Sequence, residues 1–263
     1  MFPIFAKNDL SSTESVDIIE KIVYEYLKPL GFRKYGRTLH RFVDNDISQV
    51  VHFQNGCPSK GVFDILWVNL GIRVPECVER KFSIEGPLKK YYHEYECNIR
   101  TRLGWLADGK DTVYNLKKDP NKIGKNALKR LKKYVLPVFE ILNSRDEILK
   151  HRRQYPLFDQ FNDSMILFEE AMILGRRGQT AEATRLFNAY YQSALAEYNY
   201  DIAHGTKTYL RKGERLGYRN AKTNENETII ATKNGYVTTH CANKGHITYL
   251  EELAKELGIV LKH

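Results

Sequence analysis

A chain of 263 residues has room for one large domain or two smaller ones, and its 42% apolar and 12% aromatic content excludes a disordered polymer. No run approaches the roughly 18 to 20 apolar residues that cross a bilayer, and the opening "MFPIFAKNDLSSTES" lacks the pattern of a cleavable leader, so a cytoplasmic protein without membrane contact is expected. The net charge of +9 is uneven: residues 1–150 hold 26 Lys/Arg against 19 Asp/Glu, residues 151–263 hold 15 against 13, and Lys117 to Lys133 alone holds eight basic side chains and one acidic.

In chain order the first signal is helical. "SSTESVDIIEKIVYEYLKPLGF" sets Ser11 three residues before Glu14 as a capping box, continues with an apolar stripe through Ile18, Ile19, Ile22, Val23, Tyr26 and Leu27, and stops at Pro29 and Gly31. From Gly36 the period becomes two. "RTLHRFV" and "ISQVVHFQ" read as a hairpin joined by Asp44-Asn45-Asp46. With Phe42 opposite Ile47, His40 pairs with Gln49, His52 lies opposite Arg37, and the two histidines face opposite ways. "VFDILWVNLGI" is apolar on both faces and reads as an inner strand, "EYECNIRTRLGWL" offers a fourth strand, and "TVYNLK" a short edge strand.

Helical spacing returns in "NKIGKNALKRLKKYVLPVFEILNS", where Pro137 implies a kink or a new helix beginning near Leu136. "FNDSMILFEEAMILG" and "TAEATRLFNAYYQSALAEYN" predict a helical hairpin across "GRRGQ". After a short helix in "TKTYLRKGERLGY", "NETIIATKNGYVTTHC" predicts a β-hairpin turning at Asn234-Gly235, and a last helix starts at Thr248, three before Glu251, and ends at Gly258. The expected fold is α+β: a mostly antiparallel sheet of four or five strands covered by helices over 1–150, then a mainly helical domain with a small hairpin over 151–263.

The ordered blocks "YLKPLGFRKYGRTLHRF", "ISQVVHFQNG", "FDILWVNLGI" and "CNIRTRLGWL" resemble a bacterial family of domains of unknown function, over about residues 15–115. Its members show a leading helix ending in Leu-Gly-Phe, a second strand ending in Phe-Gln and a third carrying Asn-Leu-Gly. The resemblance points to Gly31, Phe32, Arg37, Phe53, Gln54, Asn69 and Gly71 as positions that matter, implies a cytosolic protein, and suggests kinship with immunity proteins that neutralise bacterial toxins. "NGCPSKG" departs from the family, whose members carry Ser-x-Trp after the glutamine.

Four groups of residues are candidates for chemistry. His52 with Arg41 and Asp64 can be assembled into a hydrolase or nuclease site, since an imidazole titrates near neutral pH and Asp64 interrupts a strand where a carboxylate needs a cation, Arg37 or Arg41. Arg37, Arg41, Gln54 and Asn69 can equally bind a partner or satisfy the sheet's own backbone. Lys129, Arg130, Lys132 and Lys133 within Lys117–Lys133 can meet nucleic-acid phosphates or an acidic protein, or form a solvated face. His240, Cys241 and His246 in "HCANKGH" are weak metal candidates, and the four widely spaced cysteines make neither a Cys-x-x-Cys pair nor a disulfide framework. No Gly-x-Ser-x-Gly elbow, phosphate loop or His-Glu-x-x-His occurs. The expectation is a protein-binding module, its partner a toxin domain, with no cofactor; nucleic-acid binding through Lys117–Lys133 and the hairpin enzyme are the alternatives.

Overall fold

The computed structural model describes residues 10–56, 64–78, 89–155, 164–220, 222–223, 225–240 and 244–262. Two compact units divide the chain, Met1–Glu169 and Glu170–His263.

In the first unit α1 (Ser12–Leu27) opens with the capping box anticipated: the Ser11 side chain accepts from the Glu14 N–H, and the Glu14 carboxylate accepts from the Ser11 N–H at 2.9 Å. Val16, Ile19, Val23 and Leu27 form its buried stripe. The helix tightens over Lys28–Leu30 and ends at Gly31, whose φ of 88° a residue with a side chain rarely adopts. Five strands then pair antiparallel in the order β1 (Arg33–Tyr35), β2 (Thr38–Val43), β3 (Ile47–Asn55), β4 (Ile65–Arg73) and β5 (Ile99–Arg102). The short β6 (Tyr114–Asn115) pairs with the start of β4. The fourth strand is shorter than expected, because residues 94–96 make a single tight turn and α3 (Leu103–Asp108) follows at once.

The register of the β2–β3 hairpin corrects the expected one. Asp44 and Asn45 take left-handed φ values of 45° and 68°, which closes the loop on Val43 and Ile47 and shifts the pairing by one residue. Thr38 therefore lies opposite His52, and His40 opposite Val50. With a side-chain period of two, the shift puts both histidines on one face.

The sheet's two faces differ. Leu39, Ile47, Val51, Phe53, Leu66, Val68, Leu70 and Ile72 form the packed face with the apolar stripe of α1. Against α1 packs α4 (Pro120–Arg130), where a Cβ on Gly124 would lie 3.2 Å from Ile22 Cβ and 3.3 Å from Ile19 Cα, so the glycine permits the close approach. A wider turn at Leu131–Val135 leads to α5 (Leu136–Ile141), which starts just before Pro137, the residue that lacks the N–H a continuous helix requires. The opposite face carries Thr38, His40, Ser48, His52, Gln54, Trp67, Asn69, Arg73, Arg100 and Arg102. Gly71 lies among them, and a Cβ there would meet Cys97 Sγ at 2.6 Å, which accounts for the glycine of the Asn-Leu-Gly block.

Beyond α2 (Pro75–Val78), the helix α6 (Arg145–His151) starts at the Ser144 cap. Arg145 gathers Asp44, Asp46 and Glu76, so the carboxylates nearest the histidines in sequence are spent on anchoring the β2–β3 loop. Arg152 is fully buried and donates to Glu169 at 2.9 Å, and Glu169 also accepts from Asn98.

The division between units falls inside α7 (Ser164–Arg176). In the second unit α8 (Thr180–His204) and α9 (Lys244–Glu256) bury Leu186, Phe187, Tyr191, Leu250 and Leu253. Thr248 lies within α9 and is not its cap. The short helix expected at 206–218 is instead two strands. β7 (Thr206–Leu210) pairs with β10 (Gly235–Thr239), and β8 (Arg215–Arg219) pairs with β9 (Asn226–Ile230), so a two-stranded ribbon turns at Asn220–Glu225. Asn234-Gly235 is not its turn. Neither residue has positive φ; Asn234 accepts from the Lys212 N–H and steadies the break halfway along the ribbon.

Candidate functional site

The polar face of the first sheet is partly roofed by Tyr92 and His93. Tyr92 is buried, over the Arg73 guanidinium at 4.0 Å. Tyr91 stacks on Tyr35 at 4.5 Å, and His93 stacks on Tyr95 at 5.0 Å while its Nδ1 lies 3.4 Å from the Thr38 hydroxyl, beside His52. Beyond this roof, toward β5 and α3, the face opens into a cleft of about 920 Å³. His52, Gln54 and Asn69 are among its lining residues, with Glu94, Tyr95, Arg100, Arg102, Trp105 and Asp111.

The cleft's charges are balanced in pairs. Arg100 donates to Glu94 at 2.6 Å, and Arg102 donates to Asp111 while lying 5.1 Å over the Trp67 ring. Its centre is an amide pair. Asn69, 4% exposed, donates from Nδ2 to Gln54 Oε1 at 2.7 Å and leaves Oδ1 without a hydrogen bond; Trp67 Nε1, two residues back on the same face, also lacks one. His52 sits at the inner end with Nδ1 2.9 Å from the Thr38 hydroxyl. Burial lowers its pKa, opposed by the Glu94 carboxylate and assisted by the charges of His93 and Arg37, so the ring is neutral at pH 7.

The structure does not bring His52, Arg41 and Asp64 together. Arg41 lies on the packed face and donates to Gln49, to the Leu30 carbonyl and to Glu140. Asp64 precedes β4, where its carboxylate accepts from Ser12 Oγ at 2.6 Å and pairs with Lys117 at 3.3 Å, and these two partners lower its pKa. Its cation is thus Lys117, where Arg37 or Arg41 was expected. Arg37 ties the first strands to α1 through Asp17 and the Thr13 carbonyl. His40 is buried, 3.0 Å from Ser48 Oγ, and burial holds its pKa down at about 4. Although His40 and His52 share a face, each bonds its own hydroxyl.

The basic segment separates into two groups. Arg130 turns inward to Asp108 and the Tyr114 hydroxyl. Lys122, Lys125 and Lys129 recur on the exposed side of α4, and the exposed Lys132 and Lys133 follow, with ammonium groups 3.9 Å from the Tyr26 ring and 4.8 Å from the Tyr134 ring. In the second unit His246 lies 3.2 Å from the Tyr190 hydroxyl and His240 beside Lys222; Cys241 is outside the described residues, as is Cys57. Cys77 and Cys97 are free thiols. Among the described residues no group of three or more His, Cys, Asp or Glu is placed to hold a metal ion, and no helix is long and apolar enough to cross a membrane.

Sequence reasoning singled out His52, Gln54 and Asn69 but missed Tyr95, Arg100, Arg102 and Trp105. Their signal was the alternation of "NIRTR", which sends both arginines to the face opposite Ile99.

The first unit is thus an antiparallel sheet with one packed face and one polar, cleft-bearing face. The family model of a domain of unknown function, DUF4304, matches residues 23–141, from within α1 to the end of α5, and bears out the resemblance carried by the Leu-Gly-Phe, Phe-Gln and Asn-Leu-Gly blocks. No curated protein and no solved structure matches the chain.

Proposed function

We propose that the first unit is a binding module for a protein partner, received in the cleft beside β5. The observation that carries this reading is that Asn69, a lining residue of the cleft, keeps its buried Oδ1 without a hydrogen bond. An unsatisfied buried polar group costs about 1–3 kcal/mol, so a partner that donates to it gains what the free protein lacks. Trp67 Nε1, on the same face, is a second buried polar atom without a hydrogen bond, a donor where Asn69 Oδ1 is an acceptor.

The surroundings support a protein over a polyanion. Arg100 and Arg102 are matched by Glu94 and Asp111, so the cleft has no excess of positive charge for phosphates to meet. Exposed Tyr95 with Trp105 and the two arginines is the residue set that concentrates binding energy at protein interfaces. A toxin domain is a partner of this class.

The test is recovery of a stoichiometric partner from native lysate on the tagged full chain. Tyr95→Ala with Arg102→Ala is expected to abolish recovery, and Lys122→Glu with Lys125→Glu and Lys129→Glu to leave it intact. Failure to recover any partner, or a partner retained by the cleft variant, contradicts the reading.

A further inference from the structure

The ribbon of the second unit is the most basic of its exposed structures. Residues 206–239 hold seven Lys/Arg and three Asp/Glu. The acids are largely occupied within the ribbon: Glu214 accepts from the Arg211 N–H, and Glu227 accepts from the Tyr218 hydroxyl and from Asn220. Where β8 pairs with β9 the two sides differ. Leu216, Tyr218, Glu227 and Ile229 are half-buried on one side, whereas Arg215, Gly217 and Arg219 face Ile230, Thr228 and Asn226 on the other, and all six are exposed. No ion pair holds Lys207, Arg215 or Lys233 among the described residues.

This outer side combines three properties. It is a two-stranded ribbon, and the major groove of B-form DNA, about 12 Å wide, admits such a ribbon. Its five-residue strands span roughly 17 Å at about 3.3 Å per residue, enough to reach several base pairs along the groove floor. Its polar side chains are those that read base edges: arginine donates two hydrogen bonds to guanine, asparagine makes a donor–acceptor pair with adenine, and threonine serves either base or packs on a thymine methyl. Gly217 between the two arginines keeps the surface low, with nothing nearer to its missing Cβ than Thr228 Oγ1 at 4.0 Å.

We propose that the β8–β9 end of the ribbon lies in the major groove of duplex DNA, with Arg215, Arg219, Asn226 and Thr228 toward the bases and Lys207, Lys222 and Lys233 toward the phosphates. The deep, narrow major groove of A-form RNA keeps such side chains from its base edges, which makes DNA the ligand over double-stranded RNA. The inference is independent of the cleft in the first unit and moves the nucleic-acid contact from Lys117–Lys133 to the second unit.

Fluorescence anisotropy of the full chain against a mixed-sequence DNA duplex of about two helical turns, at about 50 mM and about 200 mM salt, tests it. Binding that weakens steeply between the two salts is expected. Arg215→Glu with Arg219→Glu should lower affinity at least about tenfold and flatten the salt dependence. Lys122→Glu with Lys125→Glu and Lys129→Glu should stay within about twofold, and double-stranded RNA of the same sequence should bind at least about tenfold more weakly. Arg215→Gln with Arg219→Gln, checked by circular dichroism for an unchanged fold, should also weaken binding and separates lost contacts from repulsion. No binding at the lower salt, unchanged affinity in both ribbon variants, loss confined to the α4 variant, or equal binding of the RNA would each overturn the proposal.

Discussion

The two β-structures of this chain obey the same pairing rules and serve opposite ends. The first-unit sheet packs one face completely, with Leu39, Val51, Leu66 and Leu70 at zero exposure, and so can leave its other face to polar and aromatic groups with little effect on stability. At the β8–β9 end of the second-unit ribbon the better-covered face is only half-buried. Cross-strand pairs of a few tenths of a kcal/mol and the bond between Tyr218 and Glu227 hold that end, and Arg215, Gly217, Arg219, Asn226, Thr228 and Ile230 are exposed on its other side. A buried face allows a sheet to keep unsatisfied groups, whereas a ribbon without one keeps its polar groups either bonded or in water.

This contrast can be broken at several positions. The largest effect is expected on the packed face, where Leu70→Ala should cost about 2–5 kcal/mol in urea unfolding, because the space beside α1 cannot fully close. Both tryptophans, Trp67 and Trp105, lie in the first unit, so their fluorescence follows that unit alone.

Acid should weaken the same unit through His40. Its pKa falls from 6.5 to about 4 on burial against Ser48, Phe42 and Tyr92, so below pH 6.5 the unfolded chain takes up a proton that the folded one refuses. The stabilisation is complete above about pH 6.5 and is lost as the pH falls toward 4, by roughly 3 kcal/mol at most. His40→Gln keeps a partner for Ser48 and should flatten this part of the pH–stability profile.

Gly71→Ala comes next, at about 1–3 kcal/mol, because the new methyl would overlap Cys97 Sγ; a thermal melt of unchanged midpoint would contradict the packing account of the Asn-Leu-Gly block. The smallest change is expected on the ribbon, where Tyr236, 74% exposed, meets Tyr209 edge to face at 5.2 Å. Tyr236→Ala should move second-unit stability by no more than about 0.5 kcal/mol in far-ultraviolet circular dichroism melts.

Much of the first unit was legible in the sequence because its signals are local. The Ser11–Glu14 box, the stop at Gly31, the inner strand around Leu66 to Ile72 and the restart at Leu136 each depend on neighbours within a few residues. The register of β2 on β3 was not legible, since it turned on whether Asp44 and Asn45 would both adopt left-handed backbone, and one residue of difference moved His52 to the face of His40. The candidate cleft depended on that register and on the return of residues 91–111 over the sheet, so Arg102 and Asp111 could not be read as partners of Asn69's face. In the second unit Asn234-Gly235 carried a strong local turn signal, but the longer pairing of β7 with β10 and β8 with β9 overrode it. "RKGERLGY" has helix-favouring residues beside two glycines, and the pairing of Tyr218 and Arg219 with Glu227 and Asn226 decided for strand.

We propose that the polar face of the first sheet is kept for a partner at no gain in stability. Asn69→Leu tests it most directly, with urea unfolding followed by tryptophan fluorescence and partner recovery measured on the same full-chain protein. Removing the unsatisfied amide should leave the unfolding free energy unchanged or raised while recovery of the partner is lost. A fall in stability of more than about 1–3 kcal/mol with the partner still bound would contradict the account.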